Sequence, residues 1–264
     1  MAMASANLTV MIAAARKAAR RLVRDFGEVE NLQVSLKGAG DFVSNADRKA
    51  EETIRADLMR ARPAYGYIGE ETGEIDSEDG MHRWIVDPLD GTTNFLHGLP
   101  HWCVSIGLER KGEIIAGVVF DPIKDEMFTA EKGAGAWLND RRLRVSGRRD
   151  MSVMLFGCGV PFAGSKHLPK FLRELAHLMP QCAGVRRNGA AALDLAYVAA
   201  GRFDGFWERG LNVWDIAAGA LMVREAGGLL RDLDADAADP VASGMMLATN
   251  AEVAEPLLKL LREA

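Results

Sequence analysis

Two aspartates on either side of a proline and a leucine are the residues of this chain best suited to chemistry. Asp87 and Asp90 follow an apolar run, and Pro88 lies between them. Because proline fixes its own φ and biases the preceding residue toward extended geometry, both carboxylates are expected in a stiff turn at a strand end. Gly91 then allows a sharp turn into residues 92–94 (Thr-Thr-Asn), which favour the start of a short helix.

This combination of groups indicates a cation and an anion bound side by side. Carboxylates and main-chain carbonyls are the usual ligands of hard cations such as Mg²⁺. The free N–H groups at a helix start bind anions such as phosphate. The plainer alternative is a turn in which the two aspartates only accept main-chain hydrogen bonds.

Two other carboxylate positions stand where an element is expected to end or begin. Glu70 and Glu71 follow a short apolar run and Gly69, which places them at a strand terminus. Asp215 opens the apolar run 216–226, where the alternative role is a helix N-cap worth about 1 kcal/mol. A lone Glu-Glu pair is otherwise typical of a solvated surface, so the joint pattern carries the metal hypothesis.

The chain resembles the bacterial members of the inositol monophosphatase family, within the magnesium-dependent, lithium-sensitive phosphatases. The resemblance rests on four blocks in the family's order, which are residues 41–47, 69–71, 84–95 and 214–228. It implies an α/β (α+β) fold built as a layered αβαβα sandwich of the sugar-phosphatase type. We expect a single domain over residues 1–264, with 151–161 as the best candidate for an internal seam, because strands dominate before it and αβ alternation follows.

The resemblance also implies a set of metal ligands for Mg²⁺. They are the carboxylates of Glu70, Asp87, Asp90 and Asp215 and the main-chain carbonyl of Leu89. A phosphate monoester brings about two negative charges and its attack by water builds more, so a site without cations would repel its own nucleophile.

The water-activating pair implied by the resemblance is Asp47 and Thr92, with Glu70 counted beside them as catalytic. In the family a threonine hydroxyl at the helix start, held by an upstream aspartate, hydrogen-bonds the attacking water. Asp47 also precedes the amphipathic run 48–59, so its alternative role is a favourable charge in the first turn of a helix.

Substrate contacts follow from the same resemblance. The N–H groups of Gly91 and Thr92 would cradle phosphate, and Glu208 resembles the acid that binds a substrate hydroxyl. The full set is Leu89, Asp90, Gly91, Thr92, Arg186, Gly189, Ala191, Glu208 and Asp215. Serine or threonine is common in the family where Ala190 stands, which leaves the alcohol specificity open. Arg186 has the alternative role of a surface arginine beside Arg187.

Composition agrees with a soluble enzyme. The 264 residues are 48% hydrophobic and carry a net charge of −5, which gives no general attraction for nucleic acid or anionic lipid. A small-molecule substrate is therefore the default, with neither direct nucleic-acid binding nor a membrane expected, and the resemblance implies that the substrate is a phosphate monoester. Cys103, Cys158 and Cys182 form no C-x-x-C pair, and residues 1–23 lack an apolar signal core, so we expect a cytoplasmic protein. A homodimer is also expected.

The elements that must position these residues alternate along the chain. Helices are predicted over about 8–26, 47–62, 167–179, 191–200, from Asp215 onward and over 252–261, and strands over 103–110, 114–121, 126–131 and 203–208. A hairpin-like segment is predicted over 32–43, with Gly38 and Gly40 in a flexible loop. Residues 33–37 are hypothesised to close over a third metal.

The expected function is Mg²⁺-dependent hydrolysis of myo-inositol 1-phosphate to myo-inositol and phosphate, inhibited by Li⁺. Related phosphatases for fructose 1,6-bisphosphate, histidinol phosphate or a nucleotide 3′,5′-bisphosphate stay open. An added regulatory role also stays open, because some bacterial relatives bind transcription or RNA-processing machinery. A protein that only bound partners would be free to lose metal ligands, and all of them are intact here, so catalysis ranks first.

Overall fold

Eight α-helices and thirteen strands are present in the part of the chain that the computed structural model describes, residues 4–32, 38–161, 165–236 and 239–264. The helices are α1 (Ala6–Leu32), α2 (Gly38–Ala61), α3 (Thr92–Leu96), α4 (Leu168–Leu178), α5 (Ala191–Ala199), α6 (Val213–Glu225), α7 (Pro240–Ser243) and α8 (Ala254–Glu263). None of the helices in these ranges is both long enough and apolar enough to cross a bilayer.

The strands form two sheets. The first consists of β1 (Gly66–Gly69), β2 (Gly73–Ile75), β3 (His82–Asp90), β4 (Cys103–Arg110), β5 (Glu113–Asp121), β6 (Glu126–Glu131), β7 (Gly135–Leu138) and β8 (Arg141–Arg142), in the order β2-β1-β3-β4-β5-β6-β7-β8. The second consists of β9 (Leu155–Cys158), β10 (Gly184–Arg186), β11 (Gly205–Arg209), β12 (Leu229–Asp232) and β13 (Met245–Thr249), in the order β10-β9-β11-β13-β12. The chain passes to the second sheet at the segment chosen as an internal seam, but the prediction of a single domain stays a prediction.

Five layers result from how these elements bury their apolar faces. Helices α1 and α2 cover one face of the first sheet, and α5 and α6 fill the space between the two sheets. Helices α4 and α8 cover the outer face of the second sheet. Strand β11 shows the alternation, because Phe206 faces the inner helices while Trp207 faces the outer pair. The predicted αβαβα sandwich is confirmed.

The first helix illustrates why the sequence folds in this way. Met11, Ala15, Ala18 and Leu22 recur at intervals of three and four residues, so they form one stripe along α1. All four are buried against α2 and the first sheet. The small alanines let α1 pack closely, which brings α2 over strands β1 and β3.

The predicted hairpin over 32–43 is wrong where the structure describes it. Helix α2 begins at Gly38 and runs through Gly40, so neither glycine lies in a loop. Glycine costs about 1 kcal/mol in a helix interior, and the long buried stripe of Ala46, Ile54 and Leu58 stabilises the helix that these residues extend. Residues 33–37, assigned to a loop over a third metal, lie outside the described residues.

The other predicted helices and strands are confirmed, most with shifts of one or two residues at their ends. The largest shifts are at α2, which begins at Gly38 rather than at residue 47, and at α1, which ends at Leu32 rather than at residue 26. These elements therefore position the candidate site broadly as the pattern of apolar residues predicted.

Candidate active site

The two aspartates of the central motif lie within a strand and not in a turn beyond it. Strand β3 continues to Asp90, and its pairing with β4 shifts by one residue between Asp87, opposite Ser105, and Asp90, opposite Cys103. This is a β-bulge, and Pro88, which has no N–H to donate, stands inside it. The Asp87 carboxylate accepts a hydrogen bond from the Leu89 N–H at 2.9 Å, so the expected stiffness is present in a different form.

Gly91 and Thr92 turn the chain from β3 into α3. Gly91 has φ of +94°, in the region that favours glycine, and it is the N-cap of α3. The Thr92 hydroxyl donates to the Leu89 carbonyl oxygen at 3.0 Å. No hydrogen bond joins Thr92 to Asp47, although both side chains are described, and Oδ1 of Asp47 is buried without a partner. A carbonyl oxygen has two lone pairs, so that of Leu89 can still bind a cation.

Asp90 connects the first sheet to the layer of inner helices. Its Oδ1 accepts from the Ala191 N–H at 3.2 Å and its Oδ2 from the Ala192 N–H at 2.7 Å. These are the first two residues of α5, whose free N–H groups and dipole favour a negative charge. The Ala191 amide, predicted to line the substrate mouth, is therefore bound to Asp90.

Glu70 reaches the same edge because β1 and β3 are parallel. Gly69 pairs with Val86, and the Glu70 N–H donates to the Val86 carbonyl at 3.3 Å. Parallel strands bring their carboxyl ends to one edge of the sheet, so Glu70 stands beside Asp87. Burial raises the pKa of Asp87 and the negative charge of Glu70 adds to the rise, so the two carboxyl groups lie within electrostatic range of each other.

Asp215 approaches from the other side of β4. The Ser105 hydroxyl donates to the Trp214 carbonyl at 3.4 Å, which holds the first turn of α6 against the strand that pairs with Asp87. Asn212 is the N-cap of α6, and Asp215 completes a capping box by accepting the Asn212 N–H at 2.7 Å. The alternative that Asp215 is the N-cap is wrong, because Asn212 holds that position and Asp215 takes part in the capping box from the third residue of the helix.

Glu208 lies on β11, across the site from β3. A Cβ placed on Gly159 would stand 1.8 Å from the Glu208 carboxyl carbon, so this carboxylate occupies the space where a side chain at 159 would lie. Burial raises the pKa of Glu208 to about 8, and the negative charges of Asp90 and Asp215 add to the increase. Glu208 therefore lies within electrostatic range of both.

Arg186 is the last residue of β10 and Arg187 follows it, and the two differ in which groups their positive charge affects. Arg186 is exposed and donates to the Val185 carbonyl at 3.1 Å, so the structure does not bring it into the carboxylate cluster. The positive charge of Arg187 opposes the rise in the pKa of both Asp194 and Glu208. Gly189, next to it, has φ of +81° and turns the chain toward α5. The substrate role of Arg186 stays a prediction.

Proton affinity is raised throughout the carboxylate cluster. Burial raises the pKa of Asp47 to about 8, with the charges of Glu70 and Glu71 adding to the shift. Burial raises the pKa of Asp90 to about 8 as well, and the charge of Asp215 adds to it. The pKa of Asp215 rises to about 6 through burial alone. Burial, with Asp90 next in effect, raises the pKa of Asp87 well above its usual range.

The sequence of the chain matches the model of one known protein family. Residues 4–264 match the model of the inositol monophosphatase family. The chain belongs to the inositol monophosphatase family.

Similar proteins carry two kinds of name. The chain is 58% identical over 259 residues to inositol-1-monophosphatase of Mesorhizobium japonicum, covering 98% of this chain and 97% of that protein. It is 49% identical over 229 residues to Nus factor SuhB of Pseudomonas aeruginosa, covering 85% and 84%. The crystal structure of extragenic suppressor protein SuhB from Bartonella henselae superposes with a TM-score of 0.91 at 53% identity, covering 98% of this chain and 100% of that one. The family and the fold predicted from the sequence are confirmed, and the chain is a phosphatase of this family.

Members of the inositol monophosphatase family generally depend on metal ions, and the carboxylate cluster fits a hard cation. Five mutually repelling carboxyl groups, one with an unpartnered buried oxygen, form a donor set composed only of oxygen. Among the residues that the structure describes, no three acidic, imidazole or thiol side chains form a preassembled cage. Mg²⁺ does not need one, because it keeps several waters and binds through one or two carboxylates.

The raised pKa values predict an unusual pH dependence for the metal-free protein. Between about pH 4 and about pH 8 Asp47, Asp90 and Glu208 are ionised in the unfolded chain but hold protons in the folded one, so stability falls as pH rises. Cation binding requires the deprotonated carboxylates, so Mg²⁺ should raise Tm more near pH 8 than near pH 5. Thermal unfolding with EDTA and with Mg²⁺ at the two pH values measures both effects.

Glu208→Gln is the matched variant for this measurement, since it removes one of the carboxyls with a pKa of about 8. Its metal-free Tm should depend less steeply on pH than that of the wild type. A metal-free wild type whose Tm climbs steadily across this range would contradict the prediction.

Three residues of the site were missed at the sequence level. Glu51 accepts hydrogen bonds from the segment that follows Glu70. Asn94 donates from Nδ2 to the carbonyls of His101 and Asn188, both at 2.7 Å, and so joins α3 to the segment before α5. Asp194 is buried, accepts from Asn188 at 3.0 Å and lies 3.4 Å from Nε2 of His101. The one available signal was the spacing of Glu51, four residues after Asp47 and hence on the same helix face.

Proposed function

We propose that the chain is a Mg²⁺-dependent phosphomonoesterase that hydrolyses myo-inositol 1-phosphate to myo-inositol and inorganic phosphate. The observation that carries the proposal is the convergence, at the start of α3, of carboxylates from the residue after β1, from β3 and from the first turn of α6. The relative from Mesorhizobium japonicum, which is named an inositol-1-monophosphatase, supports this substrate.

Five groups are proposed to hold the cations. They are the carboxylates of Glu70, Asp87, Asp90 and Asp215 and the main-chain carbonyl of Leu89. Bound Mg²⁺ would supply positive charge against the phosphoryl group and the Lewis acidity that activates water.

The chain's own side chains are proposed to orient the reactants. The Thr92 hydroxyl, which donates to the Leu89 carbonyl in this structure, is proposed to turn toward the unpartnered Oδ1 of Asp47 and to orient the attacking water through Oγ1. The N–H groups of Gly91 and Thr92 bind phosphate oxygens at the start of α3. Glu208 binds a hydroxyl of the substrate alcohol, from the position fixed by its contact with Gly159. Holding water and phosphate in line lowers the entropic cost of the reaction.

A phosphate-release screen with Mg²⁺ tests the function. Myo-inositol 1-phosphate should give the highest kcat/KM, compared with fructose 1,6-bisphosphate, histidinol phosphate and a nucleotide 3′,5′-bisphosphate. Addition of LiCl at millimolar concentration should inhibit the reaction. Higher kcat/KM for one of the other phosphates would reassign the substrate, while no release from any of them would contradict the phosphatase proposal.

Gly159→Ala is expected to disturb substrate binding through Glu208. The new Cβ would overlap the Glu208 carboxyl, so that group must move or the strand must shift. We expect KM for myo-inositol 1-phosphate to rise about tenfold, a loss of about 1.4 kcal/mol, typical of one hydrogen bond. Because p-nitrophenyl phosphate has no hydroxyl for Glu208, its KM should change little. Steady-state kinetics on both substrates measures this.

The double variant Gly159→Ala/Glu208→Asp provides the control for that experiment. Aspartate is one methylene shorter, so the added methyl group has room, and the double variant should bind substrate no worse than Glu208→Asp alone. Equal losses on both substrates would mean that Gly159 acts on the fold and not through Glu208.

A second candidate role is binding to the transcription machinery, in addition to catalysis. Its support is the relative in Pseudomonas aeruginosa that is named Nus factor SuhB. Gel filtration of the purified chain with RNA polymerase tests it, and co-elution that persists in a metal-ligand variant such as Asp90→Asn would separate this role from hydrolysis. Independent elution of the two would contradict it.

A further inference from the structure

Glu51 is a buried carboxylate that none of the proposed chemistry uses. It lies on α2 one helical turn after Asp47, and its side chain is 0% exposed. An ionised carboxylate is costly to bury unless its oxygens accept hydrogen bonds. The partners of Glu51 therefore indicate what the residue does.

The hydrogen bonds that Glu51 accepts from the main chain come from the segment that follows Glu70. Oε2 of Glu51 accepts from the Glu71 N–H at 2.8 Å, and Oε1 accepts from the Thr72 N–H at 3.1 Å. The Thr72 hydroxyl donates to Oε1 as well. Charge-assisted hydrogen bonds to main-chain N–H groups are about twice as strong as neutral ones. They fix the main chain immediately after Glu70.

The residue before Glu70 packs on the same carboxylate. A Cβ on Gly69 would stand 2.1 Å from Oε1 of Glu51 and 2.6 Å from its Cδ, so glycine is the residue that leaves room for Glu51. Gly69 is also the last residue of β1 and pairs with Val86. Glu51 thus touches the chain on both sides of Glu70.

The side chains of Glu70, Glu71 and Thr72 are themselves exposed. A surface segment of this kind loses main-chain entropy when it is ordered, and few apolar contacts are available to offset that loss. The buried Glu51 carboxylate supplies fixed hydrogen bonds in their place. Its contacts determine where the Glu70 carboxyl stands relative to Asp87.

We propose that Glu51 is a positioning residue for cation binding, which holds the main chain around Glu70 so that its carboxylate is placed beside Asp87 before a cation arrives. The inference rests on the proposed metal role of Glu70 and adds to it a residue that contacts no substrate or cation. Groups that orient a metal ligand typically contribute about 10- to 100-fold to metal affinity.

Calorimetric titration of the metal-free protein with Mg²⁺ tests the inference without an activity assay. Glu51→Gln turns one acceptor oxygen into an NH₂ group that faces a main-chain N–H donor. We expect its Kd for Mg²⁺ to rise about 10- to 100-fold, with kcat at saturating Mg²⁺ much less affected. Glu52→Gln makes the same change at the next, exposed residue of α2 and should leave Kd unchanged.

Amide hydrogen exchange on the metal-free wild type measures the hydrogen bonds between Glu51 and the main chain directly. The Glu71 and Thr72 amides should exchange slowly for such exposed residues, because both donate to Glu51. Glu51→Asp, which keeps the charge but withdraws it by one methylene, should give a smaller loss of Mg²⁺ affinity than Glu51→Gln. If Glu51→Gln does not fold, Glu51→Asp takes its place in the measurement of Mg²⁺ affinity.

The outcomes separate this inference from the proposed function. Unchanged Mg²⁺ affinity in a folded Glu51 variant, or fast exchange of both amides in the wild type, would overturn the positioning role even in an active enzyme. If the wild type hydrolyses no phosphate ester, but its Kd for Mg²⁺ differs from that of Glu51→Gln as expected, then only the proposed function is overturned. A wild type that binds no Mg²⁺ would overturn both.

Discussion

Asp90→Asn is expected to lower kcat by about 10³-fold, the equivalent of about 4 kcal/mol of transition-state stabilisation. Asp90 is one of the proposed cation ligands, so the amide removes a ligand and a charge together. Steady-state kinetics at saturating Mg²⁺, below the melting temperature of the variant, measures the change.

Asp90→Asn should also destabilise the fold, which the sequence motif alone did not indicate. Each carboxylate oxygen accepts one N–H of α5, and asparagine offers only one acceptor oxygen for the two. One buried N–H is left unsatisfied, at a cost of about 1–3 kcal/mol. Asp239→Asn makes the same change at the N-cap of α7, where Asp239 accepts the Val241 N–H, and should retain full activity. A folded Asp90→Asn enzyme with near-normal kcat would mean that Asp90 is only a cap.

The parts of the site that could be predicted from sequence are those encoded in contiguous residues. Asp87, Asp90 and Gly91 lie within five residues, so their proximity follows from the chain itself. The motif did not indicate that β3 continues through them with a bulge, because a bulge depends on the pairing with β4. A turn and a bulged strand place similar demands on an Asp-Pro-Leu-Asp-Gly string.

Residues that act through long-range packing could not be predicted in the same way. Glu51 meets the Glu71 amide only because α2 packs behind the parallel pair of β1 and β3. Asp194 contacts His101 only because Asp90, at the end of β3 and about one hundred residues earlier, binds the first turn of α5. These contacts follow from the order of the layers, which the family resemblance implied but no local pattern contained.

The hairpin predicted over 32–43 is a case in which local sequence preference predicted the wrong element. Its basis was the pair Gly38 and Gly40, which indicates a loop when local propensity alone is considered. Burial of the Ala46 to Leu58 stripe stabilises α2 enough to extend it over both glycines. Tertiary packing therefore decided an element that the residues themselves disfavour.

Thr92→Ala is expected to lower kcat by about 10²- to 10⁴-fold, the usual contribution of a group that positions a proton transfer, with little change in KM. The variant keeps the Thr92 N–H for phosphate and all the proposed cation ligands. It loses only the hydroxyl proposed to orient water. Thr92→Ser should recover much of the activity, because it restores the hydroxyl.

Thr92 is the first residue of α3, but the alternative that its hydroxyl only caps this helix is weakened by the structure. Gly91 is the N-cap of α3, and the Thr92 hydroxyl donates to the Leu89 carbonyl and does not cap the helix. Loss of that bond costs about 0.5–1.5 kcal/mol of stability. Thr93→Ala makes the same change at the next residue, which is also exposed, and should leave kcat unchanged. If Thr92→Ala lowers Tm but keeps the wild-type kcat, then the hydroxyl serves the bulge at Leu89 and takes no part in orienting water.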